Sequence, residues 1–308
     1  MGEIKISKLM LRKMMYQAVV RAAIDVPHDI EESLHKAFST ETNIMAKLNL
    51  EMTLANIEFA RKKEGLACGD TGFPLYYIVI GENVQVEGGL STLYQVSKEA
   101  VQQATEEFKL RSTMVHPLTR QNVRNNCGYY IPSVEVRFDP RFEGMKIVAV
   151  LKGGGAEIYG SYFKMMLAVD GKEGVTKFIL DSINAGTEEG KTCPPSVVGV
   201  GIGGTSDICM RMAKEAAVLR PIGSHHPEKD IASYEKDLMD AVNSLGIGPM
   251  GTGGNTTVLA VNVEYAVVHT GALPVAVNIQ CAIARRCVVQ INETGKIVFG
   301  NPLDWDYR

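Results

Sequence analysis

Between residues 4 and about 63, apolar side chains recur at threes, fours and fives over long stretches without glycine, Ile44, Leu48, Met52, Ile57 and Ala60 among them. That period predicts helix rather than strand. The pattern then changes. Residues 75–80 form an apolar run rich in Tyr, Ile and Val between Pro74 and Gly81, the signature of a buried strand, and residues 91–109 return to helical spacing. Strand-like runs recur at 133–138, 146–151, 196–202 and 256–268, and helical ones at 174–185, 206–219 and 229–245. At 286–299 two β-branched runs flank Asn292-Glu293-Thr294-Gly295, which predicts a terminal hairpin. The expected fold is a mixed α/β (α+β) class. An N-terminal helical section over 1–63 precedes mixed sheets flanked by helices in two sub-lobes over 64–308, read as a single domain without linker or internal repeat.

Composition changes this picture little. Of 308 residues, 45% are apolar and 22% charged, with a formal net charge of -3, an ordinary soluble balance. It offers no basic surface for nucleic acid or an anionic membrane. The first residues lack an apolar signal region, and the late apolar stretch 258–284 is interrupted by Asn262, Glu264, His269 and Asn278. A cytoplasmic protein is therefore the simplest expectation. Six cysteines with no Cys-x-x-Cys pair favour reduced thiols or a metal centre over a disulfide scaffold.

Glycine clusters mark Gly153-Gly154-Gly155, Gly199 to Gly204 and Gly246 to Gly254. Such segments serve either as tight turns or as loops whose backbone N–H groups meet a ligand. Gly199, Gly201 and Gly204 satisfy Gly-x-Gly-x-x-Gly between a strand and a helix, which makes an NAD-dependent oxidoreductase a rival reading. The acidic residue that should follow about 20 positions later is missing from Leu219-Arg220-Pro221-Ile222-Gly223.

Three cysteines keep company that a core residue does not need. Cys68 opens Cys68-Gly69-Asp70-Thr71-Gly72, Cys193 precedes Pro194 and Pro195, and Cys281 lies ahead of Arg285 and Arg286. Turns, backbone donors and nearby positive charge suit a thiolate ligand, whereas Cys127, Cys209 and Cys287 serve as the comparison set of small hydrophobes. On the residues alone other roles stay open. Asp70 can be an Asx-turn residue, Arg111 a solvated helix-end cap, His269 a hydrogen-bonded core or edge histidine, and Arg285 and Arg286 a subunit contact.

In order, and over nearly the full length, run Cys68 to Gly72, Leu110-Arg111, Val115-His116-Pro117-Leu118-Thr119-Arg120, Lys152 to Gly155, Cys193-Pro194-Pro195, Gly201 to Asp207, Leu219 to Gly223, Leu245 to Gly251 and His269 to Cys281. With these segments the chain resembles the α-subunit of two-subunit class I fumarases, an iron–sulfur hydro-lyase family that also contains L-tartrate dehydratase. The resemblance implies that Cys68, Cys193 and Cys281 each bind one iron of a 4Fe-4S cluster whose fourth iron has no protein ligand. It implies Asp70 as acid/base or water-orienting group, Arg111 as a clamp on a substrate carboxylate, Gly153, Gly154 and Gly155 as backbone donors, and His269 as a second substrate-site residue. The implied reaction is reversible hydration of fumarate, a small dicarboxylate, to (S)-malate. A smaller β-subunit, in an α2β2-type assembly, is implied to complete the active site.

The match departs from the family pattern at Gly69, where single-chain fumarases usually carry Gln, at Ile158, where many carry Asn, and at His225, where Arg is common. A tartrate dehydratase more often shows Gln after the first cysteine and lacks the segment at 116–120, so the balance favours fumarase. An L-tartrate dehydratase or related dicarboxylate hydratase is the alternative, and a non-catalytic metal-binding or assembly subunit a third reading.

Overall fold

The computed structural model describes residues 3–62, 65–292 and 294–300. Its elements are β1 (Ile4–Ile6), α1 (Lys8–Ile24), α2 (His28–Thr40), α3 (Ile44–Arg61), β2 (Phe73–Ile80), β3 (Val84–Val86), α4 (Thr92–Glu107), β4 (Ser133–Phe138), β5 (Met145–Lys152), α5 (Gly154–Tyr159), β6 (Ser161–Leu167), α6 (Gly171–Thr187), β7 (Ser196–Gly203), α7 (Ser206–Val218), α8 (Lys229–Ser244), β8 (Val258–Ala266), β9 (Ala272–Gln280), β10 (Arg286–Ile291) and β11 (Ile297–Phe299). The class is the expected mixed one. Among the described residues the chain forms two compact units, one from 3–27, 59–152 and 285–300, the other from 28–58 and 153–284.

The first unit is built on a five-stranded sheet in the order β11-β10-β5-β2-β4, with β1 and β3 forming a separate parallel pair. β2 runs antiparallel to β5 and parallel to β4, and β10 is antiparallel to β5. α1 starts where the Ser7 hydroxyl accepts the Met10 N–H at 3.1 Å, a side-chain cap for an otherwise orphaned donor. Its buried residues, Leu11, Met14, Met15, Ala18, Val19, Ala22 and Ala23, follow the three-four spacing of a core-facing helix. They join Tyr76, Ile78, Val96, Ala100, Ile147 and Val289 in one core. Residues 4–6 depart from the predicted helix. They alternate buried, exposed, buried as a strand does, a period too short to register before Ser7 begins the helix.

The second unit carries a four-stranded sheet in the order β6-β9-β7-β8, with β9 antiparallel to both β6 and β7, and β7 parallel to β8. On one face Val198 and Val200 of β7 meet Ile179 and Ile183 of α6 and Leu238 and Val242 of α8. Strand alternation sends Gly199 and Gly201 to the opposite face, where α7 lies. A Cβ on Gly199 would overlap the Ala213 carbonyl oxygen and the Ala217 nitrogen, and one on Gly201 the Cys209 carbonyl oxygen. These glycines let a helix backbone rest directly on a strand. The dinucleotide-like motif is thus a packing seam.

Other expectations need correction. In α3 the buried seam runs through Ala46, Leu50, Ile57 and Ala60, while Ile44 and Met52 are 83% and 65% exposed. The helix has two apolar stripes, and the sequence period does not say which one is covered. The strand expected at 256–268 is confined to β8, Gly153-Gly154-Gly155 opens α5 instead of forming a loop, and β6 and β9 had no counterpart in the prediction. The hairpin of β10 and β11 pairs as expected, Val289 opposite Phe299. Its turn residue Glu293, Lys63 of the predicted helical section and the terminal 301–308 lie outside the described residues. No described helix is long and apolar enough to cross a membrane.

Replacing Gly199 with Ala is expected to lower stability by about 1–3 kcal/mol, the usual cost of overpacking. Thermal melts measure it. A midpoint equal to wild type would show that α7 is not seated on β7.

Candidate functional site

The pairing of β7 with β9 sets where two of the three singled-out cysteines go. In that antiparallel register Val197 faces Gln280, so the segment just before β7 and the residue just after β9 emerge at the same end of the sheet. The Ala282 N–H donates to the Cys193 carbonyl at 3.0 Å, joining the two loops beyond the strands. The Cys281 N–H donates to Gln280 Oε1 at 3.2 Å, and its thiol donates to the Ile283 carbonyl at 3.4 Å. Gly153 sits alongside. A Cβ built there would lie 3.5 Å from Cys281 Sγ. Gly153, Gly154 and Gly155 form the N-terminal turn of α5, closed by the Glu157 N–H donating to the Gly153 carbonyl at 3.0 Å.

Cys193 is exposed and holds a φ of 53°, a left-handed conformation that costs a non-glycine residue roughly 1–3 kcal/mol. Its surroundings hold it there. Its N–H donates to the Gly190 carbonyl at 2.9 Å, and the Met250 N–H donates to the Pro194 carbonyl at 2.8 Å. The glycine-rich segment 246–254 that carries Met250 is anchored in turn by Glu41, a buried carboxylate. Its Oε1 accepts the N–H groups of Thr42 and Asn43 at 2.9 Å each, and its Oε2 that of Asn255 at 2.8 Å. This glycine cluster therefore braces a cysteine.

His269 is placed elsewhere. It lies exposed in the turn between β8 and β9, with Nδ1 accepting the Gly271 N–H at 3.2 Å. The nine residues of β9 separate it from Cys281, roughly 30 Å of extended strand. Within this unit the structure does not bring His269 together with Cys193 and Cys281.

In the other unit Cys68, Asp70 and Arg111 share one loop system. The loop 68–72 leads into β2, whose first residue Phe73 pairs with Lys152 at the end of β5. The Asp70 N–H points to Cys68 Sγ at 3.4 Å, and Asp70 Oδ1 accepts the Gly72 N–H at 3.0 Å. Asp70 is thus an Asx turn as well as a carboxylate beside a sulfur. The Thr71 hydroxyl donates to the Arg111 carbonyl at 2.7 Å, and Thr113 Oγ1 donates to the Gly72 carbonyl at 3.4 Å. From behind, the buried Asn126 donates to the Arg111 carbonyl at 3.1 Å and accepts the Thr113 N–H at 2.9 Å. The Arg111 backbone is fixed while its residue stays exposed, so Arg111 is no helix cap. Gly69 has nothing within 4 Å of a would-be Cβ, so the departure from Gln is not forced by space. His116 is occupied as a turn acceptor for the Leu118 and Thr119 N–H groups at 3.2 and 3.1 Å.

Asn126, Thr71 and Glu41 escaped the sequence reading. Each is a polar residue whose importance lies in being buried against a backbone distant along the chain, and no local pattern announces that.

The comparison cysteines behave as packing residues. Burial pushes the Cys127 thiol up to about 11 and those of Cys209 and Cys287 up to about 12. All six cysteines are outside disulfides.

Among the described residues, no group of three or more His, Cys, Asp and Glu side chains is arranged to hold a metal ion. A cubane asks for a different geometry, since each cysteine binds a different iron. Within the second unit Cys193 and Cys281 lie on hydrogen-bonded loops with glycine space beside one sulfur, and within the first a backbone N–H is directed at Cys68, donor chemistry that in each case suits a thiolate ligand.

The model of the family described as fumarate hydratase (fumerase) matches residues 12–290. The chain belongs to this family. It is 41% identical over 278 residues to a putative L(+)-tartrate dehydratase subunit alpha of Methanocaldococcus jannaschii, covering 90% of this chain and 95% of that protein. It is 33% identical over 261 residues to the L(+)-tartrate dehydratase subunit alpha of Escherichia coli and to that of Shigella boydii, covering 85% of this chain and 84% of each relative. The family name and the relatives' names give fumarate and tartrate equal standing.

Thiol chemistry tests the division of the cysteines. In the native, cluster-free chain Cys193 is expected to alkylate rapidly at neutral pH, and Cys209 and Cys287 only after unfolding, because the thiolate is the reactive form and burial suppresses it. Mass spectrometry of quenched labelling reads the order, and early modification of Cys209 would overturn the assignment.

Proposed function

We propose that this chain is the α-subunit of an iron–sulfur hydro-lyase that interconverts fumarate and (S)-malate, acting with a separate β-subunit in an α2β2-type assembly. The observation that carries the reading is the joining of the Cys193 and Cys281 loops through the Ala282 N–H, in a chain that belongs to the fumarate hydratase family. The naming of relatives as subunit alpha supports a partner. Dehydration of L-tartrate is the second reading, favoured by those same relatives' names.

In this proposal Cys68, Cys193 and Cys281 are the ligands of a 4Fe-4S cluster. When bound, the cluster supplies a Lewis-acidic iron without a protein ligand, able to polarise a substrate hydroxyl. Everything else falls to the polypeptide. Eliminating water from a 2-hydroxy dicarboxylate requires removing a weakly acidic proton beside a carboxylate, so a base and a cation clamp are both needed. Asp70, its carboxylate oriented by the Gly72 N–H, is placed to take or return that proton. Arg111 offers a planar guanidinium to a substrate carboxylate, and its backbone is held against Thr71 and Asn126, so the clamp and the base move as one body. The first turn of α5, at Gly153, Gly154 and Gly155, supplies backbone N–H groups for a further substrate oxygen. His269 keeps in this proposal the role of a second substrate-site residue, although within its own unit it lies at the far end of β9 from Cys281.

The rival NAD reading has lost its main support, since Gly199 and Gly201 are consumed in seating α7. A non-catalytic assembly subunit would bind metal yet make no use of Asp70 and Arg111.

Anaerobic reconstitution with iron and sulfide is expected to give a brown, air-sensitive chain, and single replacement of Cys68, Cys193 or Cys281 by Ser is expected to abolish stable cluster content, with Cys127→Ser unaffected. Metal and sulfide analysis settles this, and zinc in place of iron would sink the cluster. With the β-subunit present, fumarate, L-tartrate and mesaconate assayed in parallel decide the substrate. Asp70→Asn is expected to keep the cluster while lowering kcat by about 100-fold or more. Full activity in that variant would remove Asp70 from the mechanism.

A further inference from the structure

Arg285 is 1% exposed, yet among the described residues its guanidinium makes a single hydrogen bond, from Nη2 to the Thr71 carbonyl at 3.3 Å. Its Nε is buried without an acceptor, and among the described residues it forms no ion pair with a carboxylate. Arg220 shows how this same chain satisfies a buried guanidinium. It is 5% exposed and binds Glu235 at 2.5 Å and Glu264 at 3.2 Å, with the Val263 and Ser224 carbonyls at 3.4 Å each. A buried cation left with one neutral carbonyl is unfavourable unless a negative charge joins it.

Among the described residues none supplies that charge, and the hydrogen bond Arg285 makes to Thr71 points to what does. Thr71 belongs to the loop 68–72, in which an N–H is already directed at Cys68 Sγ. A substrate carboxylate is a poor candidate, since a permanently buried cation calls for a permanent anion rather than an exchanging one. We propose that Arg285 is a positioning residue whose guanidinium is the built-in counter-charge for an anionic, thiolate-held iron–sulfur group at the Cys68 loop. The inference rests on the cluster reading above. Its physical content is that Arg285 destabilises the cluster-free chain and stabilises the loaded one. The Thr71 carbonyl aims the guanidinium, and the unfilled Nε is the donor kept for a sulfur or for a group ordered beside it.

The test compares wild type, Arg285→Met and Arg285→Lys as full chains, cluster-free and after anaerobic reconstitution. Cluster-free Arg285→Met is expected to melt at or above the wild-type temperature, because an apolar side chain of similar size replaces an uncompensated charge. Reconstituted Arg285→Met is expected to release iron to a ferrous chelator about tenfold or more faster than wild type, the usual loss when an outer-shell partner is removed. Arg285→Lys, which keeps the charge and loses the fork, falls between. A cluster-free Arg285→Met that melts well below wild type would make the residue structural and overturn the proposal, as would equal iron-release rates. Failure of the wild-type chain itself to take up iron and sulfide would sink the cluster reading and this inference with it, an outcome told apart from the others by metal analysis of wild type alone.

Discussion

The antiparallel pairing of β7 with β9 is the constraint on which the candidate centre of the second unit depends. Because Val197 faces Gln280, Cys193 and Cys281 leave the sheet at one end, and a single backbone hydrogen bond from Ala282 to Cys193 then locks their loops together. The same register carries the turn with His269 to the opposite end. A slip of one residue would turn the side chains of one strand over, setting Val198 and Val200 against α7 and removing the glycine seam on which that helix rests. Sheet register, helix seating and cysteine placement are therefore one decision.

The first unit solves a different problem, that of holding an irregular loop rigid. Cys68, Asp70 and Arg111 lie outside regular structure, where backbone groups lack ladder partners. Side chains take over that work. Thr71 and Thr113 tie the loop 68–72 to the segment 111–113 through two hydrogen bonds, Asn126 holds that segment from behind through two more, and Arg285 reaches the same loop from just before β10. Glu41 does the equivalent for the glycine-rich segment behind Cys193. In both units a buried polar side chain converts a flexible segment into a fixed one, at the cost of needing every partner present.

Cysteine chemistry follows from this contrast between lattice and loop. Cys209 and Cys287 sit in a helix and a strand, where burial keeps them protonated. Cys193 and Cys281 sit close to the ends of strands and Cys68 in the loop that leads into β2, where turns and backbone N–H groups can serve a sulfur's charge. The sequence marks where these loops fall because Gly, Pro and Asp, residues readable one by one, stand beside them.

The sequence by itself determined the long helices and the central strands, since each rests on a local period. Helices α4, α6, α7 and α8 and strands β2, β4, β5 and β7 stand within a few residues of their predicted bounds. It left β6 and β9 undivided from their surroundings and could not tell which stripe of α3 is covered, because burial is a property of what packs opposite. It could not say that Gly199 and Gly201 serve a helix rather than a nucleotide, that Gly153 opens a helix, that His269 lies a strand's length from Cys281, or that Arg285 is buried with no counter-charge among the described residues. Those are matters of distance between residues remote along the chain, and only the tertiary structure, through the register of paired strands, decides them.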